Sequence, residues 1–210
     1  MIRILIADDH AAVRKGLKET IEDTPGFTVV AQAGTGDQVL QKILKQRFDV
    51  IIMDISMPGR SGLETLEEIR KVCPDTAVLI YTMHSEDEFA LRALKAGAAG
   101  FLTKDNPLDE VVGAVKSVTA GNKYFSPSVA QQLARIVASD SGKRPHERLS
   151  NREYEIMLLI ARGKSLKQIA GQFAISAKTV TTYRTRILTK MRQKTNADLT
   201  QYVLEQRLGK

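Results

Sequence analysis

Along the first 125 residues, short apolar runs alternate with stretches whose apolar residues recur every three or four positions. The runs are Ile2–Ala7, Thr28–Ala33, Val50–Asp54, Ala77–Thr82 and Gly100–Thr103. Unbroken apolar runs of this length mark strands buried on both faces, whereas a half-solvated strand alternates. The stretches between them carry helix signals. Ser85 and Glu88 are spaced as a capping box, with Gly97 placed to close that helix. Asn106 and Pro107, with Asp109 and Glu110 in the first turn, open another helix that Gly121 ends. Five strands alternating with helices predict an α/β fold with a doubly wound, parallel five-stranded sheet.

The pattern then changes. Residues 126–138 read as one more short helix, apolar at Val129, Leu133, Ile136 and Val137. Residues 139–148 (SDSGKRPHER) have no apolar periodicity and are rich in turn formers and charge, which makes them a linker. From Leu149 onward the periodicity is helical throughout. Ser150 and Glu153 form a capping box, and Leu149 and Tyr154 are spaced for a hydrophobic staple. That helix ends near Gly163. Ser165 and Gln168 form a second box for a short helix to about Phe173, Ser176 caps a helix running to about Met191, and Asn196 starts the last one. A tight turn between the middle pair predicts a small all-α helix-turn-helix domain. The expected division is 1–125, a helix and flexible linker over 126–148, and 149–210.

Charge sharpens that division. The net +7 splits into −3 over residues 1–125 and +10 over residues 126–210. A basic half joined to a mildly acidic one points to a polyanion, double-stranded DNA, as the partner of the second half alone. The lone cysteine, Cys73, excludes an internal disulfide framework and suits a reducing compartment. No run approaches the ~18 apolar residues of a membrane span, and the acidic residues in MIRILIADDH do not fit a signal peptide. A cytoplasmic protein without a membrane partner is expected.

The strand ends carry the candidate chemistry. Asp8 and Asp9 follow the first strand, Asp54 ends the third, Thr82 ends the fourth and Lys104 follows the fifth. In an open parallel sheet, ligands bind outside the carboxyl ends of the strands. Asp54 alone reads more readily as the cap of the next turn, but the joint placement favours a site. Three carboxylates in one pocket repel one another and call for a divalent cation, and Mg²⁺ suits oxygen donors beside a phosphate. Asp54 can then act as a nucleophile on phosphorus, with Lys104 and Thr82 on the phosphoryl oxygens and Asp9, Asp54 and Asp8 around the metal.

These residues, together with Gly100-Phe101-Leu102-Thr103-Lys104, resemble a response-regulator receiver domain of flavodoxin-like topology. Residues 149–187 resemble the LuxR-type helix-turn-helix, and the whole chain resembles the NarL/FixJ class of two-component response regulators. The resemblance implies that Asp54 is the phosphoacceptor and that Ser56 offers its backbone carbonyl to Mg²⁺. It also implies that Thr82 and Phe101 form a switch pair, that a sensor histidine kinase is the phosphoryl donor, and that activation brings a homodimer onto promoter DNA. Phe101 stands where the family often has Tyr, and Thr181 where it often has Lys. Such a chain is not an enzyme beyond its own phosphoryl transfer and dephosphorylation. The alternatives left open are an aspartyl-phosphate hydrolase and a DNA-binding protein with an inert receiver.

On the helix from Ala177, the residues Val180, Tyr183, Ile187 and Met191 recur at core spacing. The opposite stripe is rich in threonine, a modest helix former that suits the major groove. Thr181, Thr182 and Thr185 are the candidates for base contacts. Lys178, Arg184, Arg186 and Lys190 are the candidates for phosphates, with Thr179 grouped beside Lys178. Leu199, Val203 and Leu208 on the last helix are expected to supply a dimer contact. His10 is expected to be structural, His84 and His146 carry no partner spacing, and Gly163-Lys164-Ser165 is a helix end rather than a phosphate loop.

Overall fold

The computed structural model describes residues 1–127, 129–131 and 144–208. The chain divides into two compact units, residues 1–136 and 137–210. In the first, the strands are β1 (Ile2–Ala7), β2 (Phe27–Ala33), β3 (Val50–Met53), β4 (Ala77–Thr82) and β5 (Gly100–Thr103). All pair in parallel in the order β2-β1-β3-β4-β5. The chain moves from β1 to one side and then returns to β3 on the other, so the strand order reverses between β1 and β3. Every residue of β3 is buried, as a strand covered on both faces requires.

The helices are α1 (Ala11–Glu22), α2 (Gly36–Ile43), α3 (Gly62–Val72), α4 (Glu86–Lys95) and α5 (Leu108–Thr119). One face of the sheet packs Ile4, Ile6, Ile52 and Leu79 against Leu17 and Ile21 of α1 and Val111 and Val115 of α5. Because strand side chains alternate, Leu5, Ile51, Val78 and Ile80 supply the other face, and all are fully buried. Thr35 caps α2, and Ser61 with Glu64 forms a capping box on α3. At Gly62 a Cβ would run into the Asp54 carbonyl, so glycine is what lets α3 start directly beneath the end of β3. The box expected at Ser85 does not form. Its hydroxyl makes no cap bond, and α4 is opened by the Ser85 carbonyl, which accepts from Phe89 N at 3.3 Å.

The second unit contains α6 (Asn151–Ala161), α7 (Leu166–Gln172), α8 (Ala177–Met191) and α9 (Asn196–Glu205). Capping boxes at Ser150/Glu153 and Ser165/Gln168 are present, and Ser176 caps α8. A further box, Thr195 with Asp198, opens α9. Ile169, Val180, Ile187, Met191 and Leu199 are buried, and Ala174 takes the left-handed turn between α7 and α8. No helix among the described residues is long and apolar enough to cross a membrane.

Two expectations need correction. Residues 145–148, assigned to the linker, form a 3₁₀ turn of the helical unit. His146 is buried there, its Nδ1 2.8 Å from the Tyr202 hydroxyl of α9. Leu199 and Val203 are buried and so cannot face a partner, while Leu204 is 71% exposed. The helix expected over 126–138 and the linker over 139–143 lie largely outside the described residues.

Candidate functional site

The pocket is built by backbone register before any side chain matters. Asp54 N donates to Ala7 O at 2.8 Å and Asp8 N to Ala33 O at 3.0 Å, so both aspartates continue the ladders beyond their strands. Lys104 N donates to Thr82 O at 2.8 Å and fixes the loop after β5 to the end of β4. These bonds aim three side chains at one point. Lys104 Nζ lies 2.6 Å from Asp8 Oδ2 and 2.7 Å from Asp54 Oδ2. All three side chains are less than a tenth exposed. Burial pushes the Lys104 ammonium down, but Asp54 and Asp8 together outweigh it and hold its pKa above the ordinary lysine value. The group stays charged, as a buried cation between two anions must.

Asp9 is the more exposed of the adjacent pair, at 31% of its side chain. His10, expected to be structural, belongs to the cluster. Its Nδ1 lies 2.8 Å from Asp9 Oδ1 and 3.2 Å from Asp8 Oδ1, and its backbone N–H donates to Asp8 Oδ1 at 2.8 Å. Asp8, Asp9, His10 and Asp54 offer ligand atoms that all lie within 4.8 Å of one another. Two of the three carboxylates, Asp8 and Asp54, share one buried ammonium, and Asp9 adds further hard oxygen donors beside them. That donor set fits Mg²⁺.

Ser56 N donates to Asp54 Oδ1 at 3.2 Å. Its hydroxyl hydrogen bonds His84 Nε2 at 2.7 Å, and the His84 ring packs on Phe89 with centroids 4.2 Å apart. His84 was not singled out from sequence. It lies just past the end of β4, as Ser56 lies just past the end of the paired strand β3. Thr82 is fully buried, its hydroxyl accepts from His84 N at 3.4 Å, and it makes no hydrogen bond to Asp54. Phe101 is 2% exposed. The ring therefore already lies inside, where the expected switch would have to draw it.

On α8 the core spacing places Val180, Ile187 and Met191 in the interior and leaves Tyr183 half-buried. Lys178, Thr179, Thr181, Thr182, Thr185 and Arg186 are exposed. Thr179 belongs to the helix cap, since Ser176 Oγ accepts from its N–H at 3.0 Å and meets its hydroxyl at 2.8 Å. Two of the four expected phosphate cations are used within the fold. Arg184 Nε donates to Asn196 Oδ1 at 2.6 Å, and Lys190 Nζ lies 2.6 Å from Glu153 Oε2. Burial pushes the Glu153 carboxyl up, but Lys190 and the Ser150 backbone and hydroxyl outweigh it and leave its pKa below the usual carboxylate value. Lys178 and Arg186 make no ion pair among the described residues.

Residues 4–116 match the response regulator receiver domain family, and residues 147–203 match the bacterial regulatory proteins of the luxR family. The chain is 40% identical over 200 residues to the response regulator GacA of Pseudomonas protegens, covering 95% of this chain and 94% of that one. It is 36% identical over 201 residues to the response regulator UvrY of Escherichia coli, covering 95% and 92%. Among solved structures, RcsB of Salmonella enterica, bound to the promoter P1flhDC in the presence of the phosphomimetic BeF₃⁻, aligns with a TM-score of 0.61 and 25% identity, covering 96% of this chain and 97% of that one.

Proposed function

The chain belongs to the response regulators of two-component systems, a receiver domain followed by a LuxR-type DNA-binding domain, and from that premise we propose that a phosphoryl group on Asp54 controls its binding to promoter DNA. The observation that carries this reading is the buried Lys104 ammonium bridging Asp8 and Asp54 at the strand-order reversal. A carboxylate oxygen of Asp54 attacks phosphorus, the bond from phosphorus to the donor's nitrogen breaks, and the leaving imidazole of a sensor histidine kinase takes a proton from solvent. Asp8, Asp9, Asp54 and the Ser56 carbonyl would hold Mg²⁺, which neutralises the phosphoryl oxygens during transfer.

Once Asp54 is an acyl phosphate, its carboxylate charge is gone and the dianion sits on the new group. Lys104 exchanges Asp54 for a phosphoryl oxygen. The Thr82 hydroxyl, which already accepts from His84 N, turns its proton to another. With Phe101 already buried, the phosphate does not create the inward state but holds it, which is a shift between two existing populations. Hydrolysis of the acyl phosphate resets the receiver, and no other turnover is expected of it. The held state favours a homodimer, and the face around Phe101 and the half-exposed Leu108 of α5 is its candidate surface. On DNA, α8 enters the major groove with Thr181, Thr182 and Thr185 toward the bases; the similar RcsB is known bound to a promoter.

Acetyl phosphate with Mg²⁺ should add one phosphate to the full-length protein, read by intact mass. Asp54→Asn should remain unmodified under the same conditions. A full adduct on the Asn variant would place the phosphoacceptor elsewhere.

A further inference from the structure

Four exposed threonines of α8 are not free to donate a hydrogen bond. Thr181 donates its hydroxyl proton to Ala177 O at 3.0 Å, Thr182 to Lys178 O at 3.1 Å, Thr185 to Thr181 O at 3.2 Å and Thr189 to Thr185 O at 3.0 Å. Each bond runs back one helical turn, the arrangement open to threonine within a helix. A hydroxyl has one proton and two lone pairs. With the proton committed, the oxygen meets solvent as an acceptor only, and the methyl group stands beside it. Four such residues in register make one face of α8 a ladder of acceptor-and-methyl pairs. The exposed donors without an ion pair on that helix, Lys178 and Arg186, flank the middle of the ladder.

The base pairs differ in what they offer such a face. In the major groove an A·T pair presents the adenine N6 amino donor and the thymine methyl, while a G·C pair presents two guanine acceptors, N7 and O6, and a cytosine N4 donor with no methyl beside it. An acceptor paired with a methyl matches the first. Against guanine the threonine oxygen faces O6 with no proton between them, and freeing its own proton breaks the bond to the helix carbonyl.

We infer that Thr182 and Thr185 select A·T pairs, each accepting from adenine N6 while its methyl packs on the thymine methyl. This rests on the reading that α8 lies in the major groove, and it adds which bases are chosen and by which atoms. Thr182 and Thr185 are three positions apart, neighbours on one helix face, so the two selected pairs lie close together within a half-site.

The test uses full-length protein and duplexes recovered from a randomised pool. A·T is expected at two neighbouring positions, and changing either to G·C should weaken binding about tenfold. Replacing the selected adenine by purine, which lacks the amino group, should weaken the parent protein several-fold. It should not affect Thr182→Val or Thr185→Val at the matching position, because valine keeps the methyl and loses the acceptor. Replacing thymine by deoxyuracil should weaken the parent but not Thr182→Ser or Thr185→Ser, which keep the acceptor and lose the methyl. Unaltered parent affinity on purine and deoxyuracil, or selection of G·C at these positions, overturns the inference while leaving groove binding intact. If Thr182→Ala and Thr185→Ala weaken selected and random DNA alike, it is the placement of these threonines on bases that fails. Matching thermal melts for parent and variants exclude misfolding.

Discussion

Lys104 and Arg186 are both cations at a working surface, and they stand in opposite physical regimes. The Lys104 side chain is 8% exposed and clamped between two buried carboxylates. Arg186 projects into solvent and makes no ion pair among the described residues. Charges buried together are screened little by salt and are costly to leave unpaired. Exposed charges are individually weak, and their effect on DNA comes from many contacts that release counterions. On the proposed function, the receiver responds to a single covalent event that rewrites one strong interaction. On the same reading, the helical unit responds in small increments that add. Lys190 breaks the neat division, because it lies on α8, the proposed DNA-reading helix, yet pairs with the buried Glu153.

The largest effect is expected at the buried clamp. Lys104→Ala strands Asp8 and Asp54 without their shared cation and should destabilise the Mg²⁺-free receiver by about 3 kcal/mol, the range for removing one partner of a buried pair. Urea unfolding should show that loss nearly unchanged between low and high salt. A loss that vanishes with salt would put Lys104 in the same regime as Arg186.

The next effect is expected at Lys190. Lys190→Ala should cost the helical unit about 1–2 kcal/mol, less than the clamp because one partner is half in solvent, and it should leave the salt slope of DNA binding unchanged. A slope reduced by about one would return Lys190 to a phosphate. The same pair has a pH signature. The Glu153 carboxyl titrates below its ordinary value, so its contribution is fully present above the unfolded-state value. It is lost as pH falls through the lower, folded-state one. Glu153→Gln should flatten that acid limb of the stability profile, and an unchanged limb would assign it to other carboxylates.

The smallest effect is expected at Lys178. Lys178→Ala should weaken specific and random DNA alike and reduce the salt slope by about one, with no change in unfolding. Loss on the specific site alone would make Lys178 a base contact.

The receiver pocket was legible because its residues end apolar runs, and a parallel sheet gathers such ends at one edge. Asp54, Asp8 and Lys104 needed no knowledge of their neighbours beyond that rule. The Ser56–His84 bond was not legible. It joins residues 28 apart in the chain, and nothing in either local pattern announces it. The boxes at Ser150 and Ser165 form as their spacing predicts, since both partners lie within one turn. Ser85 has the same spacing without forming the bond, so spacing permits a cap without compelling it. On α8 the residue types were readable but not their engagements, because Arg184 and Lys190 are held by Asn196 and Glu153 from other helices. Leu199 and Val203 show the same limit. A helical apolar stripe serves its own core or a partner with one and the same pattern.

The central claim is that a charge event in the receiver is read out by the helical unit, and DNA titration of the full-length protein tests it most directly. Binding to a selected duplex is measured with and without acetyl phosphate and Mg²⁺, for the parent and for Asp54→Asn. The parent should bind at least about tenfold more tightly when phosphorylated, a coupling of about 1.4 kcal/mol, and the Asn variant should not respond. Equal affinities for the two forms of the parent, or an equal gain in the Asn variant, would contradict it.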